Sequence, residues 1–330
     1  MTKERSVDVP DPIRDLAHLG RHALRTPDPT ESLHYFVDLL GMDLVAEGEG
    51  CWYLRAYGDY ESWSLKLIAD DEAGPAWVSW RTVTPSALAR RVAWLRDNGV
   101  AGSWQPAQAG MGESYEFADP DGHRFRLYYD TERYEAPRER RPALPTNVSS
   151  YLGRGVNVRR LDHVNLLARD VRVCRTFWET GFGLRTFEIV RLEGTDPPIE
   201  AAAWQSSSIQ GHELIYTQER TEASGRLHHL AYLVDNREEV LRAAELMVDA
   251  RITIEAGPSR HTAIQGFYLY TREPGGNRVE IAHGGYLVLA PDSVPYVWTR
   301  EQWAAKPSWG AALPTQFHVY GTPDREGPPR

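Results

Sequence analysis

From His163, the stretch HVNLLARDVRVCRTFWETGFGL opens on a short run rich in apolar residues and passes a polar turn. It then spaces apolar residues three and four apart before closing on a glycine. That pattern is a strand, a turn and an amphipathic helix. HALRTPDPTESLHYFVDLLGM, from His22, is written the same way, and the spans His22 to Phe36 and His163 to Phe177 are both 14 residues. A second pair, WVSWRTVTPSALARRVAWLRDNGV from Trp77 and HLAYLVDNREEVLRAAELMVDARI from His229, again runs from an alternating strand into a helix. A third pair, YEFADPDGHRFRLYYD from Tyr115 and LYTREPGGNRVEIAHG from Leu269, predicts two strands joined by a Pro-Gly turn.

Each half of the chain thus reads as two strand-helix-strand-strand-strand units. The expected fold is α+β, with two domains that each build a cupped mixed sheet from two βαβββ modules. The Pro- and Arg-rich stretch from about Thr131 to Asn157 separates the halves. The expected divisions are an N-terminal domain without metal at 1–145, a C-terminal domain with the metal site at 146–290, and a tail at 291–330.

Composition narrows the function classes. A length of 330 residues, 42% of them apolar, suffices for two ordinary cores. With 37 basic against 46 acidic residues the net charge is -9, which provides no broad cationic field for nucleic acid or anionic lipid. Arg138, Arg140 and Arg141 stand among glutamates and prolines and read as solvated linker. Cys51 and Cys174 lie in different halves, so no disulfide framework or cysteine metal cluster is expected. No signal-peptide core or membrane span is visible in the sequence, and the expectation is a soluble cytoplasmic protein.

Matching the repeats shows which half can bind metal. The first strand offers His22 or His163, the next unit Trp77 or His229, and the last strand Arg126 or Glu280, since Pro120 to Arg126 and Pro274 to Glu280 are both six residues. Only the second half presents two imidazoles and a carboxylate. Strand alternation places His163 with Asn165 and Leu167, His229 with Ala231 and Leu233, and Glu280 with Arg278 and Ala282. Val164, Leu166, Val279 and Ile281 then face the helices, and His228 faces away from His229 as a structural residue. Two neutral imidazoles and one carboxylate leave a divalent ion with net charge +1 and adjacent open positions, a set suited to Fe(II). His261 and Tyr270, 19 and 10 residues before Glu280, and His212, 17 before His229, add groups that can move a proton or hold an oxyanion.

LDHVNL, GRLHHLAY and above all HTAIQGFYLYTREPGGNRVE, which spans His261 to Glu280, resemble the type I extradiol (catechol 2,3-) dioxygenases of the vicinal oxygen chelate superfamily. The resemblance runs from about His18 into the Trp-rich tail, with Ser259 as a departure in a loop. It implies Fe(II), or Mn(II) on the same donors, held by His163, His229 and Glu280, with His212, His261 and Tyr270 as acid-base and hydrogen-bonding groups. The implied reaction inserts both atoms of O2 into a catechol beside its hydroxyls and yields a muconic semialdehyde type of product. It also implies a homo-oligomer, often a tetramer.

Trp204 and Asn165 resemble pocket-lining positions of the most similar subgroup. Ala256 stands where members acting on carboxylate-bearing catechols tend to have Arg, and near Ala305 only Lys306 remains, so an uncharged catechol is expected. Two other readings stay open: a glyoxalase- or epimerase-like metalloenzyme of the same superfamily, and a metal-free protein that binds a hydrophobic small molecule.

Overall fold

The computed structural model describes residues 12–151, 153–305, 309–311 and 313–324. The first module runs β1 (Leu16–Thr26), α1 (Pro29–His34), β2 (Asp43–Gly48), β3 (Cys51–Arg55) and β4 (Leu65–Ala69). The second is β5 (Gly74–Thr82), α2 (Pro85–Asp97), β6 (Gly102–Gln105), β7 (Ser114–Ala118) and β8 (Arg124–Tyr128). In the C-terminal half the third module is β9 (Arg160–Ala168), α3 (Val171–Phe182), β10 (Arg185–Leu192), β11 (Ile199–Ser206) and β12 (Leu214–Gln218). The fourth is β13 (Arg226–Leu233), α4 (Arg237–Asp249), β14 (Thr253–Arg260), β15 (Gly266–Arg272) and β16 (Arg278–Gly284). β17 (Tyr296–Trp298) and α5 (Arg300–Ala305) follow. Four βαβββ units are therefore present, as the repeated pattern predicts.

Local signals account for the elements. Side-chain oxygens of Asp28, Thr84, Asp170 and Asn236 each accept from the backbone N–H three residues on, capping the four module helices. Such a cap is worth about 1 kcal/mol. Gly183, at φ 73°, ends α3 in the left-handed region. The two modules of each half join through their first strands, β1 against β5 and β9 against β13, both antiparallel. This makes an eight-stranded sheet, β2-β3-β4-β1-β5-β8-β7-β6, and a nine-stranded one, β14-β15-β16-β13-β9-β12-β11-β10-β17.

One apolar core runs between the sheets and their helices. It includes Leu24, Leu65, Val78, Trp80, Val164, Leu166, Trp178, Leu230, Val279 and Ile281. Trp80 and Trp178 meet across the halves at 5.8 Å, and the Tyr216 hydroxyl of β12 donates to Asp119 at 2.6 Å. Both cysteines are free. In the linker, Arg138 and Arg141 are exposed, but Arg140 is not merely solvated, because its guanidinium forks onto Asp43 at 3.1 Å through both terminal nitrogens.

The pairing of His22 with His163 needs correction by one residue. His22 pairs with Leu65 and Val78, as Val164 pairs with Leu214 and Leu230, so the structural counterpart of His163 is Arg21. The equal spacings to Phe36 and Phe177 misled because the counterpart of Phe36 is Trp178: Asp28 to Gly41 and Asp170 to Gly183, from cap to closing glycine, are both 13 residues, and counting from these caps sets His22 on Val164 and Phe36 on the equally buried Trp178. His22 is buried on the opposite side of its strand, 3.3 Å from the Tyr232 hydroxyl. The concave side of the N-terminal sheet is filled by its own Trp63, Trp77, Tyr53, Tyr128 and Met111, with the Arg21 guanidinium 4.3 Å over Trp63. Arg126 lies 4.5 Å over Trp77 and pairs with Glu116. Two guanidinium groups and an indole thus occupy the places that hold donors in the other half, and they repel a cation.

Candidate metal centre

Three neighbouring strands of the nine-stranded sheet, β16, β13 and β9, carry Glu280, His229 and His163. On the middle strand, Ala231 stands in register with both His163 and Glu280, and its methyl group keeps them from being pushed apart. His229, two residues earlier, projects on the same side. His163 Nε2 to His229 Nε2, His163 Nε2 to Glu280 Oε2 and His229 Nε2 to Glu280 Oε2 are each 3.1 Å. An equilateral triangle of donors with that edge is one face of an octahedron whose centre lies about 2.2 Å from each donor, the edge divided by √2, close to ordinary metal–imidazole lengths. All three side chains are buried and could hold a divalent ion.

The surrounding charges fit a cation. Burial works to lower the pKa of His163, but the charge of Glu280 and the hydrogen bond to Asp162 carry it up to about 9. Burial would raise Glu280, yet His163 and hydrogen bonds from His163, His229 and His261 hold its carboxyl well below the usual range. A proton on His163 therefore balances Glu280, and a divalent ion would displace that proton. His229 is pushed down to about 4, by burial first, against the pull of Glu280.

The other expected groups gather around the triangle. His212, just before β12, lies with its ring 4.2 Å from that of His163, and its Nδ1 is buried without a partner. Burial, then the charge of His163, push it down to about 3. His261 follows β14, with Nε2 at 2.9 Å from the Tyr270 hydroxyl and 3.6 Å from Glu280 Oε1. Burial and then the charge of Glu280 raise the Tyr270 phenol well above its ordinary value.

A cavity of about 210 Å³ opens over this cluster. Its walls include Trp204 and Asn165, as expected, with Val190, Leu192, Ala202 and Trp303. The carboxamide oxygen of Asn165 is buried and unpartnered. Ala256, expected at the substrate, is not part of the wall: it shares a face with its register partner Tyr270, but its short methyl group is packed among the larger side chains of Tyr268, Tyr270 and Phe317, of which Tyr270 and Phe317 line the cavity. Ala305 is exposed at the end of α5, and Lys306 lies outside the described residues.

Two neighbours of the three donors escaped the alternation rule. Between Leu227/Leu166 and His229/Asn165 the register of β13 gains a residue, His228, and between Ala231/His163 and Tyr232/Leu161 that of β9 gains Asp162. Each is a β-bulge, which turns consecutive side chains to one side. His228 therefore does not face away: its Nδ1 is 2.6 Å from His229 Nδ1, and Asp162 Oδ2 is 2.9 Å from His163 Nδ1. A bulge is set by pairing between distant strands, and a single strand carries no signal for it.

The family model described as the Glyoxalase/Bleomycin resistance protein/Dioxygenase superfamily matches residues 16–127 and 160–281. The chain is 35% identical over 321 residues to a metapyrocatechase of Geobacillus stearothermophilus, covering 96% of this chain and 97% of that protein. It is 33% identical over 294 residues to a manganese-dependent 2,3-dihydroxybiphenyl 1,2-dioxygenase of Geobacillus genomosp. 3, covering 87% and 91%. Among solved structures, homoprotocatechuate 2,3-dioxygenase of Arthrobacter globiformis shares its fold with a TM-score of 0.79 at 24% identity, over 95% of this chain and 94% of that one.

Proposed function

Since the chain belongs to the Glyoxalase/Bleomycin resistance protein/Dioxygenase superfamily, as a type I extradiol ring-cleaving dioxygenase, we propose that His163, His229 and Glu280 hold the catalytic metal. The metal is Fe(II), and the same donors accept Mn(II). The observation that carries the assignment is the 3.1 Å triangle of two imidazole nitrogens and one carboxylate oxygen on adjacent strands. When bound, such an ion supplies adjacent positions for both hydroxyl oxygens of a catechol and for dioxygen, and the electronic link between them.

The chain's own side chains divide the remaining work. His261, whose side chain is 30% exposed, takes the proton released as the catechol binds and passes it towards solvent. Tyr270 keeps its proton because its pKa is raised, and donates a hydrogen bond to a substrate oxygen. His212 sits on the other side of His163 with its free Nδ1, where it hydrogen-bonds the oxygen being added; neutral at rest, it takes the proton of the second catechol hydroxyl and returns it to the product as the ring opens. Asn165 adds an unpartnered carboxamide oxygen, an acceptor, to the same cavity wall. The buried walls keep water from the reacting atoms, which strengthens each of these interactions.

The substrate is an uncharged catechol with an apolar substituent. Val190, Leu192, Ala202, Trp204 and Trp303 supply an apolar wall, and among the described lining residues the one Arg or Lys is Arg220, which is exposed at the rim. Such a site has no buried guanidinium fork for a carboxylate. The assembly is a homo-oligomer, a reading supported by the exposed apolar residues Leu287, Leu289 and Val294, at 62%, 74% and 83%. Sedimentation that finds a monomer would end that part of the proposal.

Anaerobic loading with Fe(II), followed by oxygen uptake over a panel of catechols, tests the function. A yellow ring-opened product is expected from neutral catechols, with 3,4-dihydroxyphenylacetate turned over more slowly. The His163→Ala and Glu280→Ala variants are expected to take up no iron and no oxygen.

A further inference from the structure

Each imidazole of the triangle meets the same problem. To offer Nε2 to a metal, the ring must carry its one proton on Nδ1, and a neutral histidine left to itself does not keep that tautomer or that ring plane. The two β-bulges described above each place an acceptor beside an Nδ1. We propose that Asp162 and His228 are the positioning residues of the metal centre, and that the C-terminal strap, residues 313–324, takes part through His228. This rests on the assignment of His163 and His229 as ligands.

The hydrogen-bond directions follow from what each atom can do. The Phe317 carbonyl can only accept, so His228 Nε2, 2.9 Å from it, bears a proton. The Nδ1 of a neutral His228 is then an acceptor, and at 2.6 Å it takes the proton on His229 Nδ1, which leaves the His229 Nε2 lone pair for the metal. On the other side, the Asp162 carboxylate accepts from His163 Nδ1 at 2.9 Å and is itself held by Gln210 Nε2 at 3.0 Å and Arg160 at 3.3 Å. The two supports differ, since one imidazole leans on a full negative charge and the other on a neutral ring that leans on the main chain of the tail.

The first half provides an internal control. β1 gains a residue between Leu19 and His22, and β5 between Ala23/Trp77 and Leu24/Pro75, so the same two bulges are present without a metal triad. At the places of Asp162 and His228 they carry Gly20 and Ala76, and a Cβ on Gly20 would come within 2.5 Å of the Tyr128 hydroxyl. The bulges are thus a property of the fold. Only where they stand beside imidazoles are they filled with hydrogen-bonding side chains, as a supporting role requires.

The test measures metal retention by chelator competition with Mn(II) in the full-length protein, alongside the thermal midpoint of each metal-free variant. His228→Leu and Asp162→Leu are expected to bind Mn(II) some 10–100-fold more weakly, the usual effect of losing such a partner. His228→Gln and Asp162→Asn, which keep an acceptor, are expected to recover most of the loss. A long-range 1H–15N spectrum of the Zn(II)-loaded wild type, independent of any variant's folding, is expected to show His228 protonated at Nε2 and His229 at Nδ1. His228 protonated at Nδ1 alone, or leucine variants that fold and bind Mn(II) as tightly as wild type, would overturn the positioning role while leaving the ligand assignment standing. A wild type that takes up neither ion would overturn the ligand assignment and the positioning role with it.

Discussion

Arg226 is the anchor of the strap that closes one side of the cavity, and replacing it with leucine tests how that wall is held. Its guanidinium is fully buried and meets Glu219 through NH1 at 2.9 and 3.0 Å. It also donates to the carbonyls of Val319, Gly321 and Pro323 at 3.3, 2.9 and 3.0 Å. Leucine leaves the buried Glu219 carboxylate without its charge partner, a loss of about 3–5 kcal/mol where one member of a buried pair is removed. Three carbonyls lose donors at about 1 kcal/mol each, although the strap can recover these by peeling into water. The backbone bonds between Leu227 and Thr322, at 2.8 and 2.9 Å, the Tyr320 hydroxyl to Gly276 O, at 2.6 Å, His228 and Arg278 on the carbonyls of Phe317 and Tyr320, at 2.9 and 3.2 Å, and Thr322 Oγ1 on Asn277 Oδ1, at 2.9 Å, would then still hold the strap.

Urea unfolding of Arg226→Leu should therefore show a loss of at least about 3 kcal/mol. Hydrogen exchange should show lost protection first at residues 317–322. The double variant Arg226→Leu/Glu219→Leu should recover more than half of the loss, because an apolar pair replaces an ion pair nearly neutrally where removal of one ion does not. Since Leu313 and Phe317 line the cavity, KM for a catechol should rise more than kcat falls. A loss under about 1 kcal/mol, or a double variant as unstable as the two single changes added, would refute this account of the strap.

Other expectations follow from the same geometry. Glu280→Gln keeps the shape of the third donor but removes its charge, so Mn(II) affinity should fall by about 100-fold or more as the anionic ligand is lost; stoichiometric metal after gel filtration would contradict it. Removing metal with a chelator should lower the thermal midpoint, because an ion present at about 100 times its dissociation constant adds about 2.7 kcal/mol to the folded form. Burial pushes His22 down to about 3 and leaves its Nδ1 without a partner. Its folded pKa lies below the unfolded value, so its neutral form is stable above about pH 6.5 and stability is lost as pH falls from there towards 3; at pH 5 that amounts to about 2 kcal/mol. His22→Leu should match or exceed wild type in urea at pH 7 and exceed it clearly at pH 5, and an unchanged acid limb would count against the reasoning. Ala202→Phe should narrow the apolar wall, raising KM for substituted catechols well above any change for catechol itself.

The repeated βαβββ pattern and the triad of His163, His229 and Glu280 are legible in the chain itself. Hydrophobic period, capping residues and Gly or Pro turns are local signals, and comparing two halves written alike exposes where one departs from the other. His212, His261 and Tyr270 could be named from their spacing to that triad and from the family resemblance, and Trp204 and Asn165 as wall positions from the resemblance alone. Three things depended on tertiary structure. Pairing between strands puts Arg21, not His22, opposite His163, since Leu65 and Val78 flank His22 as Leu214 and Leu230 flank Val164. The bulges that bring Asp162 and His228 beside the imidazoles come from register between strands, which no alternation within one strand encodes. The strap reaches His228 from Phe317, 89 residues further along the chain, and local sequence carries no record of a contact that distant.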